Sequence, residues 1–170
     1  MGTLGSAFFA GYVVTMMWLP RFADKKGRKP MYTLGMILNA VVYTVMMVQS
    51  NFYATWVCIF LFGCINSMRT AVGFIYLQEM IPARVQTSVT TLLFIIDGLV
   101  YTFQVIYYWQ ISKYSIYLLW TGYAIAVIGA VIPFFLPESP VFYLSLGRFD
   151  EMRAVMRRIA RINKQEGQFE

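Results

Sequence analysis

The sequence is poor in histidine, cysteine and charge, and each shortage excludes a class of protein. Of its 170 residues none is histidine, two are cysteine and 13% are charged, whereas 59% are hydrophobic. Histidine is the usual general base and the commonest metal ligand, so we expect neither an enzyme nor a metal or cofactor site. Cys58 and Cys64 fall within one predicted helix, ~9 Å apart along its axis, which is too far for a disulfide. Soluble domains are about 45–50% apolar and about 25% charged, so this composition indicates an integral membrane protein.

The stretch from Pro20 to Pro30 holds five cations and one acid between two apolar runs. A lysine or arginine at the centre of a bilayer costs about 2.5–3.5 kcal/mol, so we expect this stretch to form a turn in water between two membrane crossings. A net charge of +6 would ordinarily suggest a nucleic-acid partner. Here the cations flank apolar runs, which favours a role in membrane topology and no nucleic acid.

Five apolar runs are long enough to cross the ~30 Å hydrocarbon core of a bilayer. They predict an all-α membrane protein whose residues 1–136 form a five-helix transmembrane bundle, with crossings at 2–19, 31–48, 52–80, 87–109 and 116–136. Residues 137–170 follow as a Pro-Glu-Ser-Pro turn, a basic amphipathic helix and a tail. We expect that helix to lie at the membrane face with its arginines near anionic lipid, and a partner-binding role is the alternative.

The distribution of lysine and arginine predicts the orientation of the chain. Twelve of the fourteen cations fall on one side of the predicted bundle, Lys113 falls on the other, and Arg69 lies inside the third crossing. By the positive-inside rule, the N-terminus is then outside and the C-terminus is on the cytoplasmic or matrix side. The sequence leaves open whether the membrane is the plasma membrane or the mitochondrial inner membrane.

Two charges lie deep within predicted crossings. Arg69 is ten residues before Glu79, which places it ~15 Å from the inner end of the third crossing, and Asp97 is ten residues into the fourth. Charges at such depth usually face a bundle interior, a water-filled cavity or each other. Helical spacing adds polar and aromatic neighbours, so the candidates for a substrate cavity are Asn66, Arg69, Asp97, Tyr101, Gln104 and Tyr108. A dry Arg69–Asp97 pair that holds two helices in register is the alternative.

Four motifs resemble signatures of the major facilitator superfamily, and they occur in the family's order. Residues 24–29 (DKKGRK) resemble the D-R/K-x-G-R-R/K signature between its helices 2 and 3. Residues 76–82 (YLQEMIP) resemble the Y-x-x-E-x-x-P end of helix 4 in its sugar-porter and organic-ion branches. Residues 137–140 (PESP) resemble the P-E-S-P-R motif after helix 6. Residues 144–151 (LSLGRFDE) resemble the L-x-x-G-R-x-x-E-A helix that follows, most closely in organic cation/anion transporters.

The resemblance implies a cytoplasmic charge network that gates the inward opening of a transporter. The residues that match the family's gating positions, or lie beside them, are Asp24, Lys25, Gly27, Arg28, Lys29, Glu79, Arg84 and Glu138. Three positions depart from the family pattern, because Pro20 replaces a glycine while Gln86 and Val141 replace arginines. Two cations of the network are therefore missing, and we expect weaker gating. Glu79 and Glu138 are still expected to meet Arg28, Arg84 or Arg148.

The resemblance covers helices 2–6 of the family's first half. Helix 1 and the second six-helix half have no counterpart within the 170 residues. Because such transporters rock one half against the other around a midplane site, we expect this chain to be one component or remnant of a secondary transporter for small organic solutes. Its partners would be membrane lipids and the transmembrane subunits that supply the missing half. The alternative is a non-transporting accessory subunit of a larger membrane complex, such as a respiratory assembly.

Overall fold

A computed structural model describes residues 2–49, 51–111 and 115–162, which are almost entirely helical. The helices are α1 (Gly2–Lys26), α2 (Arg28–Val48), α3 (Phe52–Ser67), α4 (Gly73–Met80), α5 (Ala83–Ile106), α6 (Ile116–Phe135), α7 (Pro140–Ser145) and α8 (Phe149–Ile162). A π-helical segment, Met68–Val72, joins α3 to α4, and a second one, Tyr107–Ile111, extends α5. The predicted all-α architecture is confirmed.

Five helices within the described ranges are long and apolar enough to cross a membrane. They are Gly2–Lys26, Arg28–Val48, Phe52–Met80, Ala83–Gln110 and Ile116–Phe135, and α3 and α4 together make the third of them. Lys113 and the predicted tail from residue 163 onward lie outside the described residues. The orientation of the termini therefore stays a prediction from the positive-inside rule.

The basic stretch between the first two spans is helical except at one residue. Helix α1 runs through Pro20 to Lys26, and α2 begins at Arg28, so the predicted eleven-residue turn is reduced to Gly27. Hydropathy marks where a chain leaves lipid, whereas the hydrogen-bond ladder of a helix continues into water. Lys25 and Lys26 support this extension, because cations in the last turn interact favourably with the helix dipole.

Helix α1 packs most extensively against α3, and two glycines set their separation. A Cβ atom at Gly11 would lie 2.3 Å from the carbonyl oxygen of Phe60, and one at Gly63 would lie 2.0 Å from that of Phe8. The two backbones are therefore in direct contact at both points. Small residues permit this approach, which maximises dispersion contact in a bilayer where helices gain little from the hydrophobic effect.

Helix α2 lies at the centre of the bundle and packs against both α3 and α6. Its residue Val42 forms a buried cluster with Cys58 and Ile65 of α3. A second cluster joins the ends of α1 and α2 to the π-helical segment, through Leu19, Ala23, Met31 and Val72. Cys58 and Cys64 are both free thiols, as predicted.

Helix α5 differs from the others because none of its residues is buried within the described chain. Its most direct aromatic contact is that of Phe94 with Phe74 of α4, whose ring centroids lie 6.1 Å apart. The space between α4 and α5 is therefore open, and this gap becomes the candidate site described below.

A short helix precedes the predicted amphipathic helix after the fifth span. Ser139 caps α7 by accepting a hydrogen bond from the backbone N–H of Phe142 at 3.3 Å, and Pro140 occupies the first turn. Gly147, with φ +69°, separates α7 from α8. Helix α8 has its acidic residues in its first turn, as predicted, and its apolar face is half-buried while its arginines are exposed.

Candidate functional site

A cavity of about 460 Å³ lies between α4 and α5 and carries both predicted intramembrane charges. Its lining residues are Tyr32, Arg69, Thr70, Gly73, Phe74, Tyr76, Leu77, Met80, Leu93, Phe94, Ile96, Asp97 and Leu136. Arg69 comes from the π-helical segment and Asp97 from the middle of α5. Opposite charges from two neighbouring spans thus reach one apolar space, as counting residues along the helices indicated.

Arg69 and Asp97 share this cavity without contacting each other. The Nη2 group of Arg69 donates a hydrogen bond to Oδ1 of Asn66 at 2.8 Å. Between the described side chains, no hydrogen bond or ion pair joins Arg69 to Asp97, and both residues are exposed. This geometry disagrees with a dry ion pair that locks two helices together, and it leaves both charges available to a third group.

The π-helical segment determines where the Arg69 side chain points. A π-turn contains one more residue than an α-turn, so it rotates the following residues relative to a regular helix, and such turns are frequent at functional sites. Thr70, in the same segment, donates its hydroxyl hydrogen to the carbonyl oxygen of Asn66. The residues that follow the π-turn also line the cavity, namely Gly73, Phe74 and Leu77.

Three of the six candidates for the cavity lie elsewhere on α5 and its extension. Tyr101, Gln104 and Tyr108 are exposed and do not line the cavity. They follow Asp97 at helical spacing, but this part of the span lies away from the cavity, and in the described chain α5 itself buries none of its residues. Their predicted role in binding stays a prediction, and Asn66 belongs to the site through its hydrogen bond to Arg69.

Tyr32, which forms part of an aromatic wall of the cavity, was missed from the sequence. The rings of Tyr32 and Tyr76 lie 6.1 Å apart in a tilted arrangement, and both residues line the space. Tyr32 lies so close to the α4 backbone that a Cβ atom at Gly73 would come within 2.6 Å of its ring. Tyr32 lies just beyond the first turn of α2, 37 positions before Arg69 in the sequence, so only the packing of α2 on α4 reveals its role.

A second cluster of charges lies at the junction of α1, α2, α4 and α7, with Arg28 at its centre. Arg28 donates from Nη2 to Oδ1 of Asp24 at 2.9 Å and from Nε to Oε1 of Glu79 at 3.1 Å. Its guanidinium also stacks over the ring of Phe142, 5.7 Å from the centroid. The side chains of Arg28 and Glu79 are only 11% and 13% exposed, so this pair is largely shielded from water.

Glu138 binds the start of α2 through backbone groups. Its Oε1 atom accepts hydrogen bonds from the backbone N–H groups of Lys29 at 2.9 Å and Ser139 at 3.1 Å. The first N–H groups of a helix lack intrahelical partners and carry partial positive charge, which a carboxylate satisfies. Gly27 allows this approach, because a Cβ atom there would lie 2.8 Å from Oε2 of Glu138, and its φ of +100° also favours glycine.

Two further hydrogen bonds fasten α4 to the turn that follows the fifth span. The hydroxyl of buried Ser139 donates to Oε2 of Glu79, and the hydroxyl of Tyr76 donates to the carbonyl oxygen of Pro137. Glu79 therefore accepts from Arg28 on one oxygen and from Ser139 on the other. The cluster holds four helices together at one end of the bundle.

Comparison with known proteins identifies the fold family. A sequence profile described as the Major Facilitator Superfamily matches residues 1–157. The chain belongs to the major facilitator superfamily. It is 25% identical over 160 residues to "Solute carrier family 22 member 15-like" of Xenopus laevis, a match that covers 91% of this chain and 32% of that relative. It is 27% identical over 165 residues to "Solute carrier family 22 member 15" of Xenopus tropicalis, covering 95% of this chain and 30% of that relative.

Membership in this superfamily, together with five helices of spanning length, makes the chain a multi-pass membrane protein of a transporter family. The chain spans about a third of the length of these two curated relatives. The solute that a whole transporter of this family carries therefore does not follow from membership alone.

Two predicted members of the superfamily's charge network lie outside the cluster. Lys25 and Arg84 are exposed, and within the described ranges neither contacts an acid. Gln86, which replaces a family arginine, donates from Nε2 to the carbonyl oxygens of Gln78 at 2.9 Å and Ile81 at 3.2 Å. A neutral amide thus caps the end of α4 where the major facilitator pattern has a cation.

Of the two predicted contacts between an acid and a cation, one is present and the other is replaced. Glu79 meets Arg28 as one of the expected combinations, whereas Glu138 binds backbone N–H groups instead of a cation. Arg148 pairs with Glu151 within the turn that opens α8. The physical reason is that the first backbone N–H groups of α2 lack partners within the helix and therefore bind Glu138. A comparison of charged side chains alone does not include these donors.

Proposed function

We propose that this chain forms part of a secondary transporter for small organic solutes, with the cavity between α4 and α5 as its solute site. The observation that carries the proposal is that Arg69 and Asp97 line one cavity and do not neutralise each other. Charges within a membrane span are costly, and they typically mark solute or ion pathways. Membership of a transporter superfamily supports the same conclusion.

The lining of the cavity favours a solute that carries both signs of charge. Arg69 offers a planar fork of donors that suits a carboxylate or phosphate, and Asp97 offers an acceptor for an ammonium group. Tyr32, Phe74 and Phe94 add aromatic surface for an apolar or cationic portion of the solute. The volume of about 460 Å³ lies within the range of about 300–1,000 Å³ that is usual for small-molecule sites.

The Arg28 cluster would act as the latch of this transporter. Helix α4 links the two sites directly, since the residue before it ends the π-helical segment of Arg69 and its last turn carries Glu79. A movement of α4 that accompanies solute binding therefore also moves Glu79 relative to Arg28. In transporters of this kind, access alternates by rocking of helix bundles around a midplane site, so the latch would break when the cavity opens at this end.

Further helices are required to close the cavity. Helix α5 buries none of its residues within the described chain, and its exposed surface is apolar along most of its length. We infer that additional helices, from the same polypeptide or from a partner, cover it and complete the transporter. The same exposed surface would serve a non-transporting accessory subunit, and the experiment below separates the two functions.

The test is to extract the chain with its bound partners, identify them by native mass spectrometry, and reconstitute the complex in proteoliposomes. We expect uptake of zwitterionic amino compounds to exceed that of matched pure cations and anions. Asp97→Asn and Arg69→Gln should each reduce uptake about ten-fold or more, as expected for the loss of about 1.5–3 kcal/mol from a charged hydrogen bond. Thr91→Val on exposed α5, outside the cavity, is the matched control and should leave uptake unchanged.

Three outcomes would contradict parts of this proposal. Uptake that is indifferent to both charge substitutions would remove the cavity as the solute site. Flux through the purified chain alone would contradict the requirement for further helices. A stable complex without flux for any class of solute would favour the accessory subunit.

A further inference from the structure

Two cationic side chains from different helices meet at the C-terminal end of α6. The Nζ group of Lys29 donates to the carbonyl oxygen of Phe134 at 3.4 Å, and Nη2 of Arg158 donates to that of Phe135 at 3.3 Å. These carbonyls belong to adjacent residues in the last turn of α6, where the helix leaves its final acceptors unpaired and carries partial negative charge. The cationic heads from α2 and α8 are therefore close neighbours at the end of the fifth span.

Arg158 is exposed and Lys29 is half-buried, and both cations retain donors for a further partner. A lysine ammonium has three N–H donors and an arginine guanidinium has five, of which one each is directed to α6. In the described part of the chain neither head is paired with a carboxylate. Glu138 contacts Lys29, but its carboxylate accepts hydrogen bonds from the backbone N–H groups of Lys29 and Ser139 and not from the Lys29 ammonium.

Apolar surface begins immediately beside these cations. Val131, Ile132, Phe134 and Phe135 of α6 are each more than half exposed, and they form the last turns of the most apolar of the five spans. Such side chains at the end of a membrane span are suited to contact with acyl chains. The site therefore combines an apolar surface for acyl chains with two cations at the level where that surface ends.

We propose that Lys29, Arg158 and the exposed end of α6 form a binding site for an anionic phospholipid. The phosphate of the lipid would accept hydrogen bonds from the guanidinium and the ammonium, a geometry in which arginine is especially effective. The acyl chains would lie along the exposed face of α6. A soluble acidic peptide would match the charges but not the apolar surface, so the membrane lipid is the occupant that fits both. This inference is independent of the proposed transport function.

The experiment is native mass spectrometry of the full chain, released from micelles that contain equal amounts of phosphatidylserine and phosphatidylcholine. The chain should retain phosphatidylserine preferentially. Each cation near a membrane surface contributes about 1 kcal/mol, so Arg158→Gln and Lys29→Gln should each weaken phosphatidylserine retention about five-fold. Arg153→Gln removes the same charge from an exposed position of α8 and is the matched control, because among the described residues Arg153 donates no hydrogen bond to α6.

Arg158→Lys keeps the charge, should preserve the preference for phosphatidylserine, and guards against a loss caused by misfolding. Equal retention of the two lipids by the unmodified chain would overturn the proposal. So would an Arg153→Gln effect as large as that of Arg158→Gln, since this would indicate diffuse charge attraction instead of a site. Release of a bound acidic protein by Arg158→Gln, with lipid retention unchanged, would assign the surface to a protein partner and overturn the lipid assignment.

Discussion

Replacement of Gly27 by alanine tests how the first two spans are joined. Gly27 is the only residue between α1 and α2, with φ +100° and ψ 153°. A Cβ atom there would come within 2.8 Å of Oε2 of Glu138 and within 3.3 Å of the Phe142 ring. Alanine therefore has to adopt an unfavourable backbone conformation and displace a carboxylate at the same time.

The expected loss of stability can be estimated from these two effects. A non-glycine residue in this region of backbone conformation costs about 1–3 kcal/mol. If Glu138 moves away, the hydrogen bond from the Lys29 N–H group to its carboxylate is lost, which costs about 1.5–3 kcal/mol for a charged acceptor. Gly27→Ala should thus lower the free energy of unfolding by about 2.5–6 kcal/mol.

The assay is the free energy of unfolding of the chain in bicelles, measured by steric trapping. Gly147→Ala is the matched control, because Gly147 has φ +69° but a Cβ atom there meets nothing within 4 Å. It should lose only about 1–2 kcal/mol, the cost of left-handed backbone. In a Glu138→Ala background the effect of Gly27→Ala should shrink to the backbone cost alone. Equal losses for Gly27→Ala and Gly147→Ala would refute the role of the close approach.

Two further substitutions test the packing of α1 and the centre of the charge cluster. Gly63→Ala places a Cβ atom 2.0 Å from the carbonyl oxygen of Phe8, so α1 and α3 must separate. We expect the free energy of unfolding to fall by at least about 2 kcal/mol. The control is Gly98→Ala, where a Cβ atom meets nothing within 4 Å, and it should change the free energy of unfolding by less than about 0.5 kcal/mol. Arg28→Gln leaves the largely shielded Glu79 without its cation and should cost about 3–5 kcal/mol in the same assay. The exposed control Lys25→Gln should change stability by less than about 0.5 kcal/mol, and an equal effect of both would refute the central position of Arg28.

The spans could be predicted from sequence because their hydropathy and length are decisive, but the end of the first span could not. The first span was expected to stop at residue 19, but α1 continues to Lys26. Hydropathy reports where side chains tolerate lipid, and a helix that projects into water satisfies its backbone in the same way as one inside the membrane. The start of the last amphipathic helix could be predicted, because Asp150 and Glu151 favour the first turn of a helix.

The candidate site could be predicted as far as residue counting along a helix allows. Arg69 and Asp97 were placed at similar depth on adjacent spans, and they do line one cavity. Tyr32 and Leu136 could not be found in this way, because they reach the cavity from α2 and from the turn after α6. The hydrogen bonds from backbone N–H groups to Glu138 could likewise not be predicted, because every residue except proline has such a donor and the sequence does not show which donors are free.

The single-residue joint between α1 and α2 has a consequence for labelling the protein. A connection of one residue, surrounded by the carboxylate of Glu138 and the ring of Phe142, has no room for inserted residues. An epitope or fluorophore inserted there would force α1 and α2 apart. Gly147 is the better position for a tag, because an added side chain there meets nothing within 4 Å.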